Sequence, residues 1–392
     1  MRIADRLQRI SASPTMAVML EAQQLRAQGI DVIDLGPGQP DFPTPEPIKK
    51  AGIDAIIRNF TRYTASAGLD ELREGIAESF NRRWDTHFGA ENVVVTAGAK
   101  PAVFNVCMAA FQDGDEVVIP SPYWVTFPEV VKLTGASPVQ VPTFEENGFV
   151  PEMDSLESVL TDRTRGLILN TPNNPTGAVI PESVLGQLIE WTRSRGLFLL
   201  SDETYGEFTY AGREHVSLAA YLGESAAAFA VVGSFSKVHS MTGWRIGYCL
   251  GPTDLMAKVN EFQSHQSGNP CSISQKAAIA ALHRSESELE AMRQEFARRR
   301  SLVLHRLELL PGFRCVPPEG AFYVFPNVEE AMSAVGCEDS VEFSRFLLRE
   351  ARVATVPGSA FGADGYIRLS YAAPSELLEA AFDRLAAVLH RP

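Results

Sequence analysis

The chain has few cysteines and no pattern among them. Cys107, Cys249, Cys271, Cys315 and Cys337 are odd in number, scattered, and contain no CxxC pair. That excludes a disulfide framework and a thiolate zinc site, and reads as reduced core thiols of a cytosolic protein. Positive charge is also short. The 35 Lys and Arg against 48 Asp and Glu leave a formal net charge of −13, which argues against a nucleic-acid partner, since that would want a basic face. The one dense basic spot, Arg298-Arg299-Arg300, lies in a Glu/Arg-rich helical pattern and reads as a solvated helix face. No uninterrupted apolar run approaches the length of a membrane span. The opening Met1-Arg2-Ile3-Ala4-Asp5-Arg6-Leu7 has neither the apolar core nor the cleavage pattern of a leader. The expected location is therefore the cytoplasm, with no membrane partner.

What is present is an ordinary globular composition, 45% hydrophobic and 21% charged over 392 residues, too long for one typical core. Short apolar runs at 93–96, 116–119, 166–170, 197–201, 230–233 and 246–250 read as strands, with helical patterns such as 101–111 and 182–195 between most of them. Runs rich in Val, Ile and Leu without polar alternation suit a parallel sheet buried on both faces. Residues 46–290 are thus expected to form a large α/β domain. The tail differs: a charged helix pattern at 285–309, strands at 321–325 and 366–370, and helices at 341–350 and 376–389 suggest a small α+β domain over 291–392. Residues 1–45 are expected to form an arm that packs on that tail as part of the small domain. Pro and Gly cluster at 36–47, where a loop is expected, and there is no internal repeat.

The segment 234–245 brings Ser234, Ser236, Lys237 and Arg245 together within twelve residues of an acidic protein. Such a loop can be a plain solvated turn. It also carries what pyridoxal phosphate requires: an amine to form a Schiff base with the aldehyde, and donors with positive charge for the phosphate. Other polar groups follow strand candidates, and ligands of open α/β sheets bind at the carboxyl ends of strands. Thr96-Ala97-Gly98-Ala99-Lys100-Pro101 opens a helix, and small residues there let backbone N–H groups approach an anion. The turn Asn170–Gly177 is a Pro/Asn/Gly turn in which Asn174 could donate to a ring hydroxyl oxygen. Asp202, in Ser201-Asp202-Glu203-Thr204-Tyr205, is either a helix cap or a carboxylate awaiting a partner such as a pyridinium N–H, and Tyr205 lies three residues on.

Together these stretches resemble a class-I, fold-type-I pyridoxal-phosphate aminotransferase of the bacterial aspartate aminotransferase subgroup. The resemblance runs from about residue 2 to 389 and includes Gly38-Gln39-Pro40-Asp41-Phe42, Tyr63…Gly68…Glu71-Leu72-Arg73, Ser121-Pro122-Tyr123-Trp124 and Arg368-Leu369-Ser370-Tyr371, in family order. It implies a mainly parallel seven-stranded sheet flanked by helices, with a smaller α+β domain. It also implies pyridoxal 5'-phosphate as cofactor, with Lys237 as the Schiff-base lysine and proton shuttle. Asp202 would meet the pyridine nitrogen, Asn174 and Tyr205 the ring oxygen, and Trp124 the ring face. Gly98, Ala99, Lys100, Ser234, Ser236 and Arg245 would gather around the phosphate. Tyr63 is similar to a tyrosine that reaches the phosphate from the other subunit, which implies a homodimer with shared sites. Arg368 and Gly38 would hold the substrate α-carboxylate, and Trp124 and Asn174 would also contact the substrate. Lys100, with weaker donors from Thr15 and Ser267, would hold a distal carboxylate.

The implied reaction moves an amino group between an L-amino acid, aspartate or glutamate first, and a 2-oxo acid. His239, the stretch Gln266-Ser267-Gly268-Asn269, and Ala99 and Pro101 in the phosphate turn depart from the subgroup's pattern. They leave room for aromatic, prephenate or broad-specificity transamination, and for a pyridoxal-phosphate lyase on the same fold. The full-length resemblance and the absence of an attached DNA-binding segment argue against a non-enzymatic regulator that keeps the fold.

Overall fold

Three consecutive valines, Val93-Val94-Val95, are fully buried, and the strand they form has water on neither face. The computed structural model describes residues 3–10, 14–221 and 228–390, with the side chains of 14–17 outside the description. In chain order its strands are β1 (Ile33–Asp34), β2 (Val93–Thr96), β3 (Glu116–Ser121), β4 (Ser137–Pro142), β5 (Thr164–Asn170), β6 (Phe198–Asp202), β7 (Phe229–Ser234), β8 (Gly247–Leu250), β9 (Tyr323–Val324), β10 (Val353–Ala354), β11 (Val356–Pro357) and β12 (Ile367–Ser370). Seven of them make one sheet in the order β2-β8-β7-β6-β5-β3-β4. β8 runs antiparallel to both its neighbours and the other pairings are parallel. This is the mainly parallel, helix-flanked α/β sheet expected from the sequence.

The short strands β1, β10 and β11 and one strand of the large sheet were not anticipated. β4 is the sheet's edge, carries Pro138 and Pro142, and is mostly accessible. Proline is tolerated there because an edge strand has one unpaired side.

The two ends of the chain meet. β1 pairs in parallel with β10, and Leu35 N–H donates to Ala354 O at 3.0 Å. A three-stranded antiparallel sheet, β11-β12-β9, lies in the tail. It shares a core with the helices Glu286–Glu308 and Ser375–Leu389, built on Phe296, Phe322, Phe343 and Phe382. The expected division at 290/291 falls inside the first of these helices.

Arg299 corrects the solvated reading of the basic run. It is 5% exposed and forms a bidentate pair with Asp41 at 2.7 and 2.9 Å, between the faces of Phe42 and Phe296. Arg300 is half-buried and donates to Pro318 O at 2.6 Å, so Arg298 alone is exposed. Arg299 therefore ties the arm to the tail, because a buried guanidinium needs a paired carboxylate. The cysteines are all free, but Cys271 is exposed rather than in the core. Among the described residues no helix is long and apolar enough to cross a membrane.

Candidate active site

The carboxyl ends of β5, β6 and β7 and the chain's two ends enclose a cavity of about 450 Å³. Ala99, Lys100, Trp124, Asn174, Asp202, Tyr205, Ser234, Ser236, Lys237, Arg245, Gly38 and Arg368 all line it. These expected site residues span more than three hundred positions of sequence.

Asp202 ends β6, in register with Asn170 of β5. Its Oδ1 accepts from Thr204 N–H at 3.1 Å, and the residue is 4% exposed. Burial raises its pKa to about 6; bonds from Thr204 oppose the rise, the charge of Glu203 adds to it, and Lys237 opposes it. Asp202 does not cap a helix: the chain turns after it.

Lys237 lies in the single turn Phe235–Val238 that follows β7, and its Nζ donates to Gly38 O. Burial lowers its pKa to about 8, helped by Arg368 and Arg245 and opposed by Asp202. Near neutrality a fraction of the amine is therefore uncharged, as a nucleophile or base must be.

Gly98 caps the helix Ala99–Ala110 at φ +101°. A Cβ there would stand 2.3 Å from Arg245 Nη2, so only glycine lets the guanidinium close over the turn. Arg245 donates to Thr242 O at 2.9 Å and Ala97 O at 3.2 Å. Ser234 Oγ accepts from Ser236 N–H at 3.0 Å. The ammonium of Lys100 lies 5.3 Å from the Trp124 ring centroid. Burial, then the charge of Arg245, hold its pKa below the usual lysine range.

Arg368, on β12, is 9% exposed. Its Nη1 donates to Asn174 Oδ1 at 2.8 Å and its Nη2 to Gly36 O at 2.6 Å, while its Nε has no partner. Asn174 N–H in turn donates to Asn170 Oδ1 at 2.8 Å.

Gly98, Ser267 and Tyr63 do not line this cavity. Ser267 is exposed at the end of the helix Thr253–Gln266 and does not line it. Tyr63 is 97% exposed and does not line it either. Thr15 falls in the helix Pro14–Ala27, and its side chain lies outside the described residues. His239 does not line the cavity; it stacks on Phe235 at 5.4 Å, and burial with Arg284 pushes its pKa down to about 3, so the ring is neutral.

The cavity also has walls the sequence reading missed. Tyr323 and Phe361 flank Arg368, and Asn170, Thr204, Thr355, Val18 and Met19 contribute. A tyrosine inside the apolar run Ala321-Phe322-Tyr323-Val324-Phe325 was the available signal, because a buried hydroxyl needs a partner.

The donor set fits pyridoxal phosphate. A buried carboxylate suits a protonated ring nitrogen, and a buried amine suits the aldehyde. A glycine cradle with an arginine and two serines suits the phosphate. Arg368 Nε is buried and unpartnered, so the cavity offers a polar group to a guest. Among the described residues no group of His, Cys, Asp and Glu is placed to hold a metal ion.

Comparison with known proteins agrees. The family described as aminotransferase class I and II matches residues 30–385. An aspartate aminotransferase of Geobacillus stearothermophilus is 43% identical over 98% of both chains. A protein of Aquifex aeolicus named "Probable aspartate/prephenate aminotransferase" is 41% identical, over 99% of this chain and 98% of its own. The crystal structure of a Thermotoga maritima aspartate aminotransferase superposes with a TM-score of 0.93 at 37% identity, covering 99% of this chain and 100% of the other. The chain belongs to the class I and II aminotransferases, a family that implies pyridoxal phosphate.

Proposed function

We propose that this aminotransferase takes the amino group of aspartate or glutamate and delivers it to a 2-oxo acid, with pyridoxal phosphate held in the cavity described above. Bound there, the cofactor supplies an electron-accepting ring for the substrate's α-carbon. The observation that carries the reading is the placement of Lys237, Asp202 and Arg368 around one cavity.

Asp202 holds a proton on the ring nitrogen, since a buried carboxylate gains most from a cationic partner. Asn174 and Tyr205 bond the ring oxygen, and Trp124 covers the ring face. Gly98, Ala99, Ser234, Ser236 and Arg245 hold the phosphate. Lys237 carries the cofactor and then takes and returns the proton at the substrate α-carbon. Arg368 holds the α-carboxylate as a planar fork, with Gly38 beside it. Lys100 meets the distal carboxylate.

We place the enzyme in the cytoplasm as a homodimer. Ile53, Ile56, Ile57 and Tyr63 are all more than half exposed. Ile53, Ile56 and Ile57 share one face of the helix Glu46–Ile57, and an exposed apolar face suits a covering subunit. Tyr63 and Ser267, both outside their own cavity, would serve the partner's site.

A second reading, transamination of aromatic substrates or prephenate alongside aspartate, draws support from the apolar wall of Val18, Met19 and Phe361 and from the aspartate/prephenate name of the Aquifex relative. The test is a half-reaction screen of the loaded enzyme against the common amino acids, with Lys237→Ala as control. Aspartate and glutamate should convert the visible spectrum to that of the aminated cofactor, and the control should not respond. Conversion by phenylalanine at a similar rate would favour the second reading. Release of ammonia in place of amination would make the enzyme a lyase.

A further inference from the structure

Tyr323 stands where the residues for the cofactor and the residues for the substrate meet. It is 1% exposed, and its hydroxyl lies 2.7 Å from the Tyr205 hydroxyl. The Arg368 guanidinium sits over its ring, 4.5 Å from the centroid. A Cβ on residue 38 would be 2.0 Å from the Tyr323 oxygen, so the glycine at 38 makes room for this hydroxyl as well as for a substrate. A phenylalanine would satisfy the packing against Phe322 and Tyr205; the hydroxyl needs another explanation.

We propose that Tyr323 is a positioning residue: its hydroxyl donates to the Tyr205 oxygen and thereby aims the Tyr205 hydrogen at the cofactor's ring oxygen. The inference rests on the reading that Tyr205 meets that oxygen. Two hydroxyls in contact share one hydrogen between them, and the accepting one keeps its own hydrogen free. Both tyrosines line the cavity, and with Tyr323 as donor the free hydrogen belongs to Tyr205. A hydroxyl that accepts a bond also becomes a better donor, because bonds in a chain polarise one another. The cation over the Tyr323 ring draws electron density from its oxygen and strengthens this first link. Arg368, which we assign to the substrate carboxylate, is thereby joined to Tyr205 through one side chain.

The experiment uses Tyr323→Phe, which keeps the ring and removes a single oxygen. The readout is the pH midpoint of the visible absorption of the loaded enzyme without substrate, which follows the proton on the nitrogen that links Lys237 to the cofactor. A weaker donor at the ring oxygen leaves more negative charge beside that nitrogen, so its proton is held to higher pH. Tyr205→Phe should raise the midpoint. Tyr323→Phe should raise it less, by about 0.3–1 pH unit, the span of one modest hydrogen bond. The double variant should go no further than Tyr205→Phe, because the two act in series. An unshifted midpoint in Tyr323→Phe beside a shifted one in Tyr205→Phe would overturn the inference alone. So would additive shifts. No shift in Tyr205→Phe would overturn the assignment of Tyr205 and the inference with it.

Discussion

Arg245 occupies the space that a side chain on residue 98 would need. Its Nη2 lies 2.3 Å from the position of a Cβ there, and residue 98 is held at φ +101°. Gly98→Ala is therefore strained twice, by backbone conformation and by contact. The cofactor should bind at least about tenfold more weakly, since one charge-assisted phosphate contact is displaced. Spectral titration of the cofactor-free protein measures this. An unchanged affinity would mean that Arg245 does not close over the phosphate.

Asp202→Asn should stabilise the cofactor-free protein while harming the enzyme. The native carboxyl has its pKa raised from 3.8 to about 6 by burial. Its stabilising contribution is full below pH 3.8, where it is protonated in both states, and is lost as pH rises through 6. Above that the ionised group costs roughly 1–3 kcal/mol, and asparagine removes the cost. Urea unfolding at pH 4 should find the two proteins alike, and at pH 7.5 the variant more stable. With cofactor bound, the same variant should remove the α-proton far more slowly. Equal stability of the two proteins at both pH values would contradict the desolvation of the buried carboxylate.

Lys100→Ala should cut kcat/KM for aspartate by about ten- to a hundredfold, the range for a hydrogen bond to a charged group. Phenylalanine should be nearly unaffected. The lysine stands on the Trp124 ring beside Arg245, at the wall of the cavity. Equal losses on both substrates would reassign it to the phosphate.

Tyr63→Ala and Lys237→Ala should complement each other. A mixed dimer has one site with both residues intact, so random exchange restores about a quarter of the sites. Activity of the mixture after verified subunit exchange is the measurement. No recovery would argue against a tyrosine shared across subunits.

Much of the sheet was legible because its strands are apolar throughout. The runs at 93–96 and 166–170 lie within β2 and β5, both buried on the two faces. β4 was not, since its prolines and accessible side chains give an edge strand the composition of a loop. That Lys237, Asp202 and Asn174 border one cavity was legible because each follows a strand candidate and carries a polar group. Tyr323 was not, because its partners lie far off in sequence. Tyr205 is 118 positions away, and one hydroxyl in an apolar strand gives no spacing to read. Arg299 was misread for the same reason: its partner Asp41 is 258 positions distant, and from sequence alone its helix neighbours Glu295 and Arg298 suggest a solvated face.

The cavity's two walls come from different parts of the chain. Consecutive strand ends between 93 and 250 supply the lysine, the carboxylate and the phosphate cradle, whereas Gly36, Gly38, Tyr323 and Arg368 come from the chain's two extremities, joined through β1–β10 and Arg299–Asp41. Inheritance can therefore act on them separately. On the proposed roles, substitutions at cavity positions of the two extremities such as Val18, Met19 and Phe361 can retune which amino acid is accepted while the residues assigned to the cofactor keep their contacts. For a laboratory library aimed at new amino donors, those positions together with Lys100 are the place to draw diversity, and the other strand-end residues are the place to leave alone.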